Sequence, residues 1–413
     1  MTPAGPDRHL ALDGIRGIAV LGILLLNIFS FANPHAGYIN PLAFGGDRPV
    51  DIAAWGLGFV LFEGKMRALF SLLFGASMLL VIDRARATGA SGADVHFRRM
   101  GWLLVFGLAH HLFVWEGDIL SQYAIVGALA FVFTSLPDKK LRLWAVGLLA
   151  ASILMHATTM AGVYGLKASA SAPGASPGVR RAYAAVEASF AQPGSADIRR
   201  DLAVHRGDYA SIVTARAADA LGSIQGVLSV YGLETLGLML AGMLLLRNGF
   251  LTGGWNDARY RRWAVRAYLV GIPPLVALAW WNRATGFAPL PTFSTFLAWA
   301  EPFRYAVTLG HVAAAMLLLR RFAGNELETR LAAAGRMAFT NYLLTSLVMT
   351  SLFYGYGGAL YGVLGRAELY LFVLAMWLAI LAWSEPWLRR FRYGPFEWAW
   401  RSLSRGAAQP MRV

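Results

Sequence analysis

An asparagine and a histidine near the start of the chain have side chains that could act on a carbonyl group. The segment LGILLLNIFSFANPHAGYIN, residues 21–40, places Asn27 inside an apolar run and His35 just beyond its end. An amide can hydrogen-bond a carbonyl oxygen, and an imidazole can take a proton near neutral pH. Asn27 is therefore a candidate for carbonyl polarisation and His35 for a general base. The alternatives are an amide that joins two helices and a solvated loop histidine.

Charged residues also follow the short apolar segment 51–62. Glu63, Lys65 and Arg67 form a solvated or ion-paired anchor, or they contact an anionic or polar acceptor at a cavity mouth. Glu234 and His311 are ionisable groups within apolar helices, so we expect both to face the bundle interior.

Two consecutive histidines precede two carboxylates in the stretch HHLFVWEGD. His110 and His111 point about 100° apart on a helix, so they do not predict a metal site, and we expect no metal. A histidine–carboxylate contact with Glu116 or Asp118 is the structural interpretation. The functional interpretation is that these four residues bind a substrate.

Composition assigns the chain to the membrane proteins. Of its 413 residues 57% are apolar and 15% charged, and the mean hydropathy is +0.50. The formal charge of +14 in such a chain indicates topology more than nucleic-acid binding, and we expect no nucleic-acid partner. The absence of cysteine excludes disulfides and thiolate metal sites. No dinucleotide, P-loop, serine-hydrolase or zincin motif occurs in a suitable context.

Apolar runs predict an all-α, polytopic bundle of ten spans in one transmembrane domain. The short basic loops all face the cytoplasm only if both termini do. Segment 51–62 is then an interfacial or re-entrant helix at the outer face, 164–223 an extracytoplasmic loop, and 386–413 a basic and aromatic cytoplasmic tail. The predicted spans are 15–32, 66–82, 100–116, 118–136, 141–163, 226–246, 263–281, 294–319, 337–358 and 366–385.

The stretch LDGIRGIAVLGILLLN, residues 12–27, resembles the opening of the YeiB family of bacterial multi-spanning membrane proteins. Further stretches resemble this family in its expected order. They are GKMRALFSLLFGASMLL, RRMGWLLVFGLAHHLFVWEGDILSQYAIVGAL, LGLMLAGMLLLRNGFL, GRMAFTNYLLTSL, FYGYG and RRFRYGPFEWAWRSLSRG. The resemblance covers most of the chain outside 164–223 and parts of 250–330.

YeiB proteins resemble a transmembrane acyltransferase superfamily that includes the lysosomal heparan-α-glucosaminide N-acetyltransferase. The resemblance implies an acyl-CoA co-substrate, with acetyl-CoA the first choice. In that enzyme an LDxxRG-like start precedes a late Asn and a His in the following loop. Asp13, Arg16, Gly17, Asn27 and His35 match this pattern, although Asn27 and His35 are closer together than in the enzyme.

Basic residues near the predicted cytoplasmic span ends are candidates for the CoA phosphates. They are Arg16, Arg98, Arg99 and Arg336. Arg336 and Asn341 are predicted on one face of a helix start, which suits a diphosphate; an arginine cap against lipid headgroups is the alternative.

The sequence thus predicts an acyltransferase that moves an acyl group from cytosolic acyl-CoA to a hydroxyl or amine at the outer face. The acceptor would be a sugar, a lipid or a small metabolite. The alternative is a transporter or flippase with a polar pathway through Asn27, Glu234 and His311. We expect membrane lipid as a partner and the bacterial cytoplasmic membrane as the location, and a homodimer remains open.

Overall fold

The computed structural model describes residues 6–190 and 192–413, and the regular elements in these two ranges are helices. The first nine helices are α1 (Pro6–Ala32), α2 (His35–Ile39), α3 (Pro49–Leu61), α4 (Lys65–Ala87), α5 (Gly92–Phe113), α6 (Leu120–Ala130), α7 (Asp138–Ser171), α8 (Pro177–Ala188) and α9 (Ala196–His205). The remaining helices are α10 (Tyr209–Arg247), α11 (Asp257–Ala284), α12 (Pro289–Ser294), α13 (Glu301–Arg321), α14 (Glu326–Arg336), α15 (Ala338–Phe353), α16 (Arg366–Arg390) and α17 (Pro395–Arg405). The all-α prediction is confirmed.

Seven helical segments of the described ranges are long and apolar enough to cross a membrane, so the fold is a multi-pass helical membrane bundle. They are Leu10–Ala32, Pro49–Ala87, Asp138–Ser171, Tyr209–Arg247, Asp257–Ala284, Glu301–Arg321 and Arg366–Arg390. Each of the ten predicted spans falls on helix, but Leu120–Phe133 and Ala338–Phe353 are shorter than a usual span. The count of ten stays a prediction.

Hydrogen bonds between connecting segments define two ends of the bundle. At one end, which we call the basic end, Arg247 donates to the Leu136 carbonyl at 2.8 Å and Arg86 donates to the Ser135 hydroxyl at 3.3 Å. At the other, the loop end, the Gly362 amide donates to the Ala32 carbonyl at 2.7 Å.

The predicted outer loop 164–223 contains more helix than its composition suggested. Helix α7 extends to Ser171 and α10 begins at Tyr209, with α8 and α9 between them. Side-chain caps start these helices: Ser195 accepts from the Ile198 amide and Asp208 from the Ser211 amide. The Gly355 amide donates to the His205 carbonyl at 2.8 Å, so α9 is attached to the loop end of the bundle.

Helix α1 is the central element and packs against α4, α14, α15 and α16. It lies so close to α14 that a Cβ added at Gly335 would be 1.8 Å from the Asp13 carbonyl oxygen. Only glycine permits this separation, which brings α15 alongside the outer half of α1.

Two other predicted segments pack on the bundle. Helix α3 covers 51–62 and buries Trp55 and Phe59 against Leu275 of α11. In the tail, α17 packs on α5 and α15, and the Trp400 indole donates to the Arg99 carbonyl at 2.9 Å. The Trp/Arg pattern of the tail thus forms intramolecular contacts.

Candidate functional site

A narrow crevice separates the C-terminal half of α1 from α15, and Asn27 lines it. The crevice has room for about one water molecule. Asn27 is half-buried, and its amide makes no hydrogen bond to the described part of the chain. The other lining residues are Val20, Ile23, Leu24, Phe31, Tyr342, Thr345 and Ser346.

The histidine–carboxylate contact predicted after α5 is present. The Nδ1 atom of His110 lies 3.0 Å from the Asp118 carboxylate, and both side chains are 1% exposed. The second oxygen of Asp118 accepts the Ser121 amide at 2.8 Å, which fixes the carboxylate. A carboxylate at Nδ1 selects the tautomer in which Nε2 has the free lone pair of a general base.

Gly107 allows this contact. It lies one turn before His110, and a Cβ there would be 2.5 Å from the Ser121 amide nitrogen and 2.9 Å from the Asp118 carboxylate. The close approach of the two segments therefore delivers Asp118 to His110.

Three buried polar atoms without hydrogen-bond partners belong to His110 and to two aromatic residues in contact with its ring. They are His110 Nε2, Tyr342 Oη and Trp115 Nε1. The Tyr342 ring centroid is 5.2 Å from that of His110, and the Trp115 ring is 4.1 Å from Phe31. Tyr342 and Phe31 both line the crevice. Buried polar groups rarely lack partners, so this concentration marks a place where a polar ligand can bind.

A second small crevice adjoins the same carboxylate. His111, Glu116, Asp118, Ser121 and Gln122 line it together with residues of α10. Nδ1 of His111 lies 3.0 Å from the Glu116 carbonyl oxygen, so the two histidines have different partners, as predicted. The described residues contain no group of three or more His, Asp or Glu side chains that could hold a metal.

His35 is not brought to Asn27. It is exposed, its backbone amide donates to Asp201 at 3.0 Å, and it does not line the Asn27 crevice. The physical reason is the break before Pro34, where α1 ends at Ala32 and α2 begins in a new direction. The expectation that these two residues form one site therefore has no support in the geometry.

Asp201 and Glu116 instead hold His205. The imidazole lies 2.6 Å from Asp201 and 3.2 Å from Glu116, and Arg216 pairs with Glu116 at 2.8 Å. Burial alone would lower the pKa of His205, but its hydrogen bonds to Asp201 and Glu116 raise the pKa to about 10. Burial would likewise raise the pKa of Glu116, but His205 and Arg216 lower it to about 2. This cluster attaches α9 to the bundle.

The charged residues after α3 are not a solvated face. Lys65 is fully buried and donates to the Phe59 carbonyl at 2.6 Å, and Glu63 accepts from the Tyr38 hydroxyl. Arg67 pairs with Glu234 at 2.7 Å. Buried charge is costly unless paired, so this part of the sequence forms an internal network.

The pathway proposed for a transporter is not continuous. Glu234 is buried, as predicted, but it pairs with Arg67 of α4. His311 lies between the Tyr268 hydroxyl at 2.9 Å and the Leu61 carbonyl at 2.6 Å. The Asn27 crevice includes neither Glu234 nor His311.

At the basic end, Arg16 donates to Asp13 at 2.7 Å and to Ser77 at 2.9 Å. Arg98 is exposed, and Arg99 stacks on Trp400 with 4.0 Å from its guanidinium carbon to the ring centroid. Arg401 of α17 is close enough to interact with the charges of Arg16, Arg99 and Arg405. Several cations thus gather at this end.

The prediction that Arg336 and Asn341 share one face of a helix start is wrong. Arg336 is exposed and is the last residue of α14. The helix is interrupted at Met337, and Asn341 belongs to the next helix, α15. Asn341 donates to the Ala334 carbonyl at 3.1 Å and the Ser384 hydroxyl at 3.2 Å, so its amide joins helices. Gly335 lies two residues before this break, but the helix predicted from the sequence continues through it.

Several contact residues were missed from the sequence. Tyr342 lies in a stretch quoted for its family resemblance, but its aromatic ring attracted no attention. His156 and Glu301 form a buried pair at 2.7 Å. Both are ionisable groups in apolar surroundings, and the criterion that selected Glu234 and His311 could have found them.

Comparison with known proteins finds relatives of this chain in bacteria. The model of the family described as "Protein of unknown function (DUF418)" matches residues 245–407. The chain is 31% identical to "Uncharacterized protein YeiB" of Escherichia coli (strain K12) over 414 residues, covering 98% of each chain. It is 28% identical to "Uncharacterized protein YxaH" of Bacillus subtilis (strain 168), covering 98% of this chain and 96% of the relative. No solved structure matches. The near-complete coverage at this identity shows that the chain belongs to the YeiB family.

Proposed function

We propose that this protein is a membrane-bound acyltransferase in which His110 is the general base and Asn27 binds the thioester carbonyl. The observation that carries the proposal is the unpaired Nε2 of buried His110, whose Nδ1 is held by Asp118 beside the Asn27 crevice. Free Nε2, fixed Nδ1 and a nearby amide are the parts that acyl transfer requires. His110 replaces His35 in this role because His110 is buried, its Nδ1 is fixed by Asp118 and its ring lies 5.2 Å from that of Tyr342, which lines the crevice, whereas His35 is exposed.

The reaction uses these groups in one sequence. Nε2 of His110 takes the proton from the hydroxyl or amine of the acceptor. The acceptor atom bonds to the acyl carbon while the Asn27 amide donates to the carbonyl oxygen as it becomes negative. The carbon–sulfur bond then breaks, and the thiolate of CoA receives the proton from His110. The Tyr342 hydroxyl, which also lacks a partner and belongs to the same crevice as Asn27, would be a second donor to this oxygen.

The donor would approach from the basic end. The phosphates of CoA need cations, and Arg16, Arg99, Arg401 and Arg405 gather there. Arg98 and Arg336, both exposed, extend this charge at the surface. The position of Arg401 supports adding it to the residues predicted from the sequence.

The narrow crevice sets a condition on the mechanism. Because it has room for about one water molecule, an acyl group enters only if α1 and α15 move apart. Asn27 and Tyr342 make no hydrogen bond across this contact, so polar pairing does not hold the helices together there.

Acyl-CoA turnover tests the proposal. Purified wild-type protein in lipid nanodiscs should hydrolyse acetyl-CoA slowly without an acceptor, because water can replace the acceptor. Arg401→Ala should weaken acetyl-CoA binding about tenfold, the effect of one charge-assisted contact. The control is Arg283→Ala. Arg283 lies in the last turn of α11 and is not one of the arginines named above for the CoA phosphates. Absence of both binding and hydrolysis in wild type would rule the proposal out.

Transport of a small polar or amphipathic molecule is the second candidate function. The observation that favours it is the set of ion pairs buried within the spans, including Arg67–Glu234 and His156–Glu301. Uptake or flipping by proteoliposomes that do not turn over acyl-CoA would favour transport.

The proposed setting follows from the basic loops. Both termini and the basic end would face the cytoplasm of a bacterial cell, and the loop end would receive the acceptor. Cysteines introduced into this cysteine-free chain at Ser91 and Ser176 should then react with impermeant reagents from opposite sides.

A further inference from the structure

We infer that His156 and Glu301 share one proton and form a proton-binding site within the membrane, separate from the proposed transfer site. His156 lies near the middle of the 34-residue α7, and Glu301 is the first residue of α13. The two side chains are 5% and 2% exposed, and Nδ1 lies 2.7 Å from Oε2 of the carboxyl group.

The other ring nitrogen determines where the protons are. Nε2 of His156 lies 3.0 Å from the Val230 carbonyl oxygen, which can only accept a hydrogen bond. Nε2 therefore carries a hydrogen. With no second proton, the Nδ1 lone pair would face a carboxylate lone pair at 2.7 Å, which is repulsive. The contact therefore contains exactly one more proton, on Nδ1 or on Oε2.

The rest of the carboxyl group is arranged to keep that proton in place. Its Oε1 atom accepts from the Ser152 hydroxyl at 2.6 Å and from the Tyr305 hydroxyl at 2.5 Å. Because Oε1 is occupied by two donors, a proton on the carboxyl group belongs on Oε2, towards His156. The shared proton thus joins α7 directly to α13.

Charged groups on α10, α4 and α13 surround this pair. Glu234 of α10 interacts electrostatically with Glu301 and His156, and also with Arg304 of α13. Arg67 of α4 forms an ion pair with Glu234 at 2.7 Å. Its guanidinium carbon lies 3.7 Å from the ring centroid of Tyr231. Arg304 donates to the Phe296 carbonyl at 2.7 Å. None of these groups donates to the Nδ1–Oε2 contact, so an external proton must fill it.

The ligand of this site is therefore a proton, and its binding has a mechanical consequence. Loss of the proton places two lone pairs in contact at membrane depth, and the helices must separate or admit water. Proton binding and release would in this way change the packing of α7 against α13. This inference stands on residues that the acyl-transfer proposal does not use.

His311 provides a matched control. Its Nε2 also faces a backbone carbonyl, that of Leu61 at 2.6 Å, but its Nδ1 faces the Tyr268 hydroxyl at 2.9 Å. A hydroxyl can donate to Nδ1, so His311 is satisfied as a neutral imidazole with no added proton.

The experiment is solid-state NMR of the full-length protein, labelled with ¹⁵N-histidine, in lipid bilayers, combined with infrared spectroscopy of the carboxyl groups. Subtracting the spectrum of His156→Gln from that of wild type isolates His156, and His311→Gln isolates the control. We expect one of two results: both ring nitrogens of His156 protonated, or a protonated Nε2 and an unprotonated Nδ1 together with a carboxylic-acid band that Glu301→Gln abolishes. The control should have an unprotonated Nδ1 and no linked carboxyl band.

A variant that keeps the pair provides a second test. Tyr305→Phe removes one donor from Oε1, which makes the carboxylate more basic and should move the shared proton towards Glu301. The Nδ1 signal of His156 should shift accordingly, and that of His311 should not. A His156 side chain with only one protonated ring nitrogen, and no carboxylic-acid band from Glu301 in wild type, would overturn the inference.

Discussion

The ion pair between Arg67 and Glu234 should contribute strongly to the stability of the bundle. The charged atoms are 2.7 Å apart, and the exposed fractions of the side chains are 18% and 2%. Glu234→Gln leaves Arg67 buried but still stacked on Tyr231, so we expect a cost of about 3 kcal/mol in the free energy of unfolding. Arg67→Met leaves the carboxylate with no cation, and we expect about 3–5 kcal/mol.

The double variant separates the pair from its surroundings. The double variant should lose about 2–3 kcal/mol less free energy of unfolding than the two single variants lose together, and this difference is the coupling between the two residues. The assay is unfolding of the purified protein in mixed detergent micelles, followed by tryptophan fluorescence. Arg389→Met and Glu385→Gln form the control cycle, because Arg389 is 73% exposed although its ion pair is 2.6 Å long. Their coupling should be below about 0.5 kcal/mol. Equal coupling in both cycles would refute the reasoning.

Two further predictions concern the packing of α14 on α1 and the attachment of α9 to the bundle. Gly335→Ala should prevent close packing of α14 on α1, since its Cβ would be 1.8 Å from a backbone oxygen, and should lower the free energy of unfolding by about 3 kcal/mol or more. The control variant Gly101→Ala has open space around its Cβ and should be tolerated. Equal melting temperatures of the two variants in detergent would contradict this. The folded-state pKa of His205 is raised to about 10, so its stabilisation of α9 is complete below its ordinary value of 6.5 and is lost as the pH rises towards 10. The pKa of Glu116 is lowered to about 2, so its contribution is present above its ordinary value of 4.5 and lost as the pH falls towards 2. Proteolysis within residues 172–208 should therefore be slowest between these ordinary values, and a rate that does not change with pH would be contrary evidence.

The sequence predicted what depends on composition and on near neighbours in the chain. Apolar runs located the helices, and the spacing of His110 and Asp118 suggested their contact, which the structure has at 3.0 Å. A buried position for Glu234 followed from its apolar surroundings and is confirmed. These features are local, because the short turn between α5 and α6 returns Asp118 to the end of α5 and the apolar neighbours of Glu234 lie on its own helix.

Contacts between distant parts of the chain could not be predicted in this way. Glu301 is 145 residues from His156, and Tyr342 more than 200 residues from His110, so spacing says nothing about either contact. Pairing Asn27 with His35 relied on their nearness in the chain, but the turn at Pro34 separates them. The break at Met337 depends on distant parts of the chain, since α14 packs on α1 and Glu397 of α17 accepts from the Phe339 and Thr340 amides at the start of α15.

The most direct test of the proposed transfer site compares His110 with His35 in one assay. Purified variants in nanodiscs would be given labelled acetyl-CoA, and release of free CoA and of acetate or acetylated acceptor would be followed together. His110→Asn and Asn27→Ala should each reduce turnover roughly a hundredfold without weakening acetyl-CoA binding, because both groups act on the transition state. His35→Ala should retain the wild-type rate, since His35 is exposed and lies outside the crevice. Full turnover by His110→Asn, or loss of turnover in His35→Ala alone, would contradict the account.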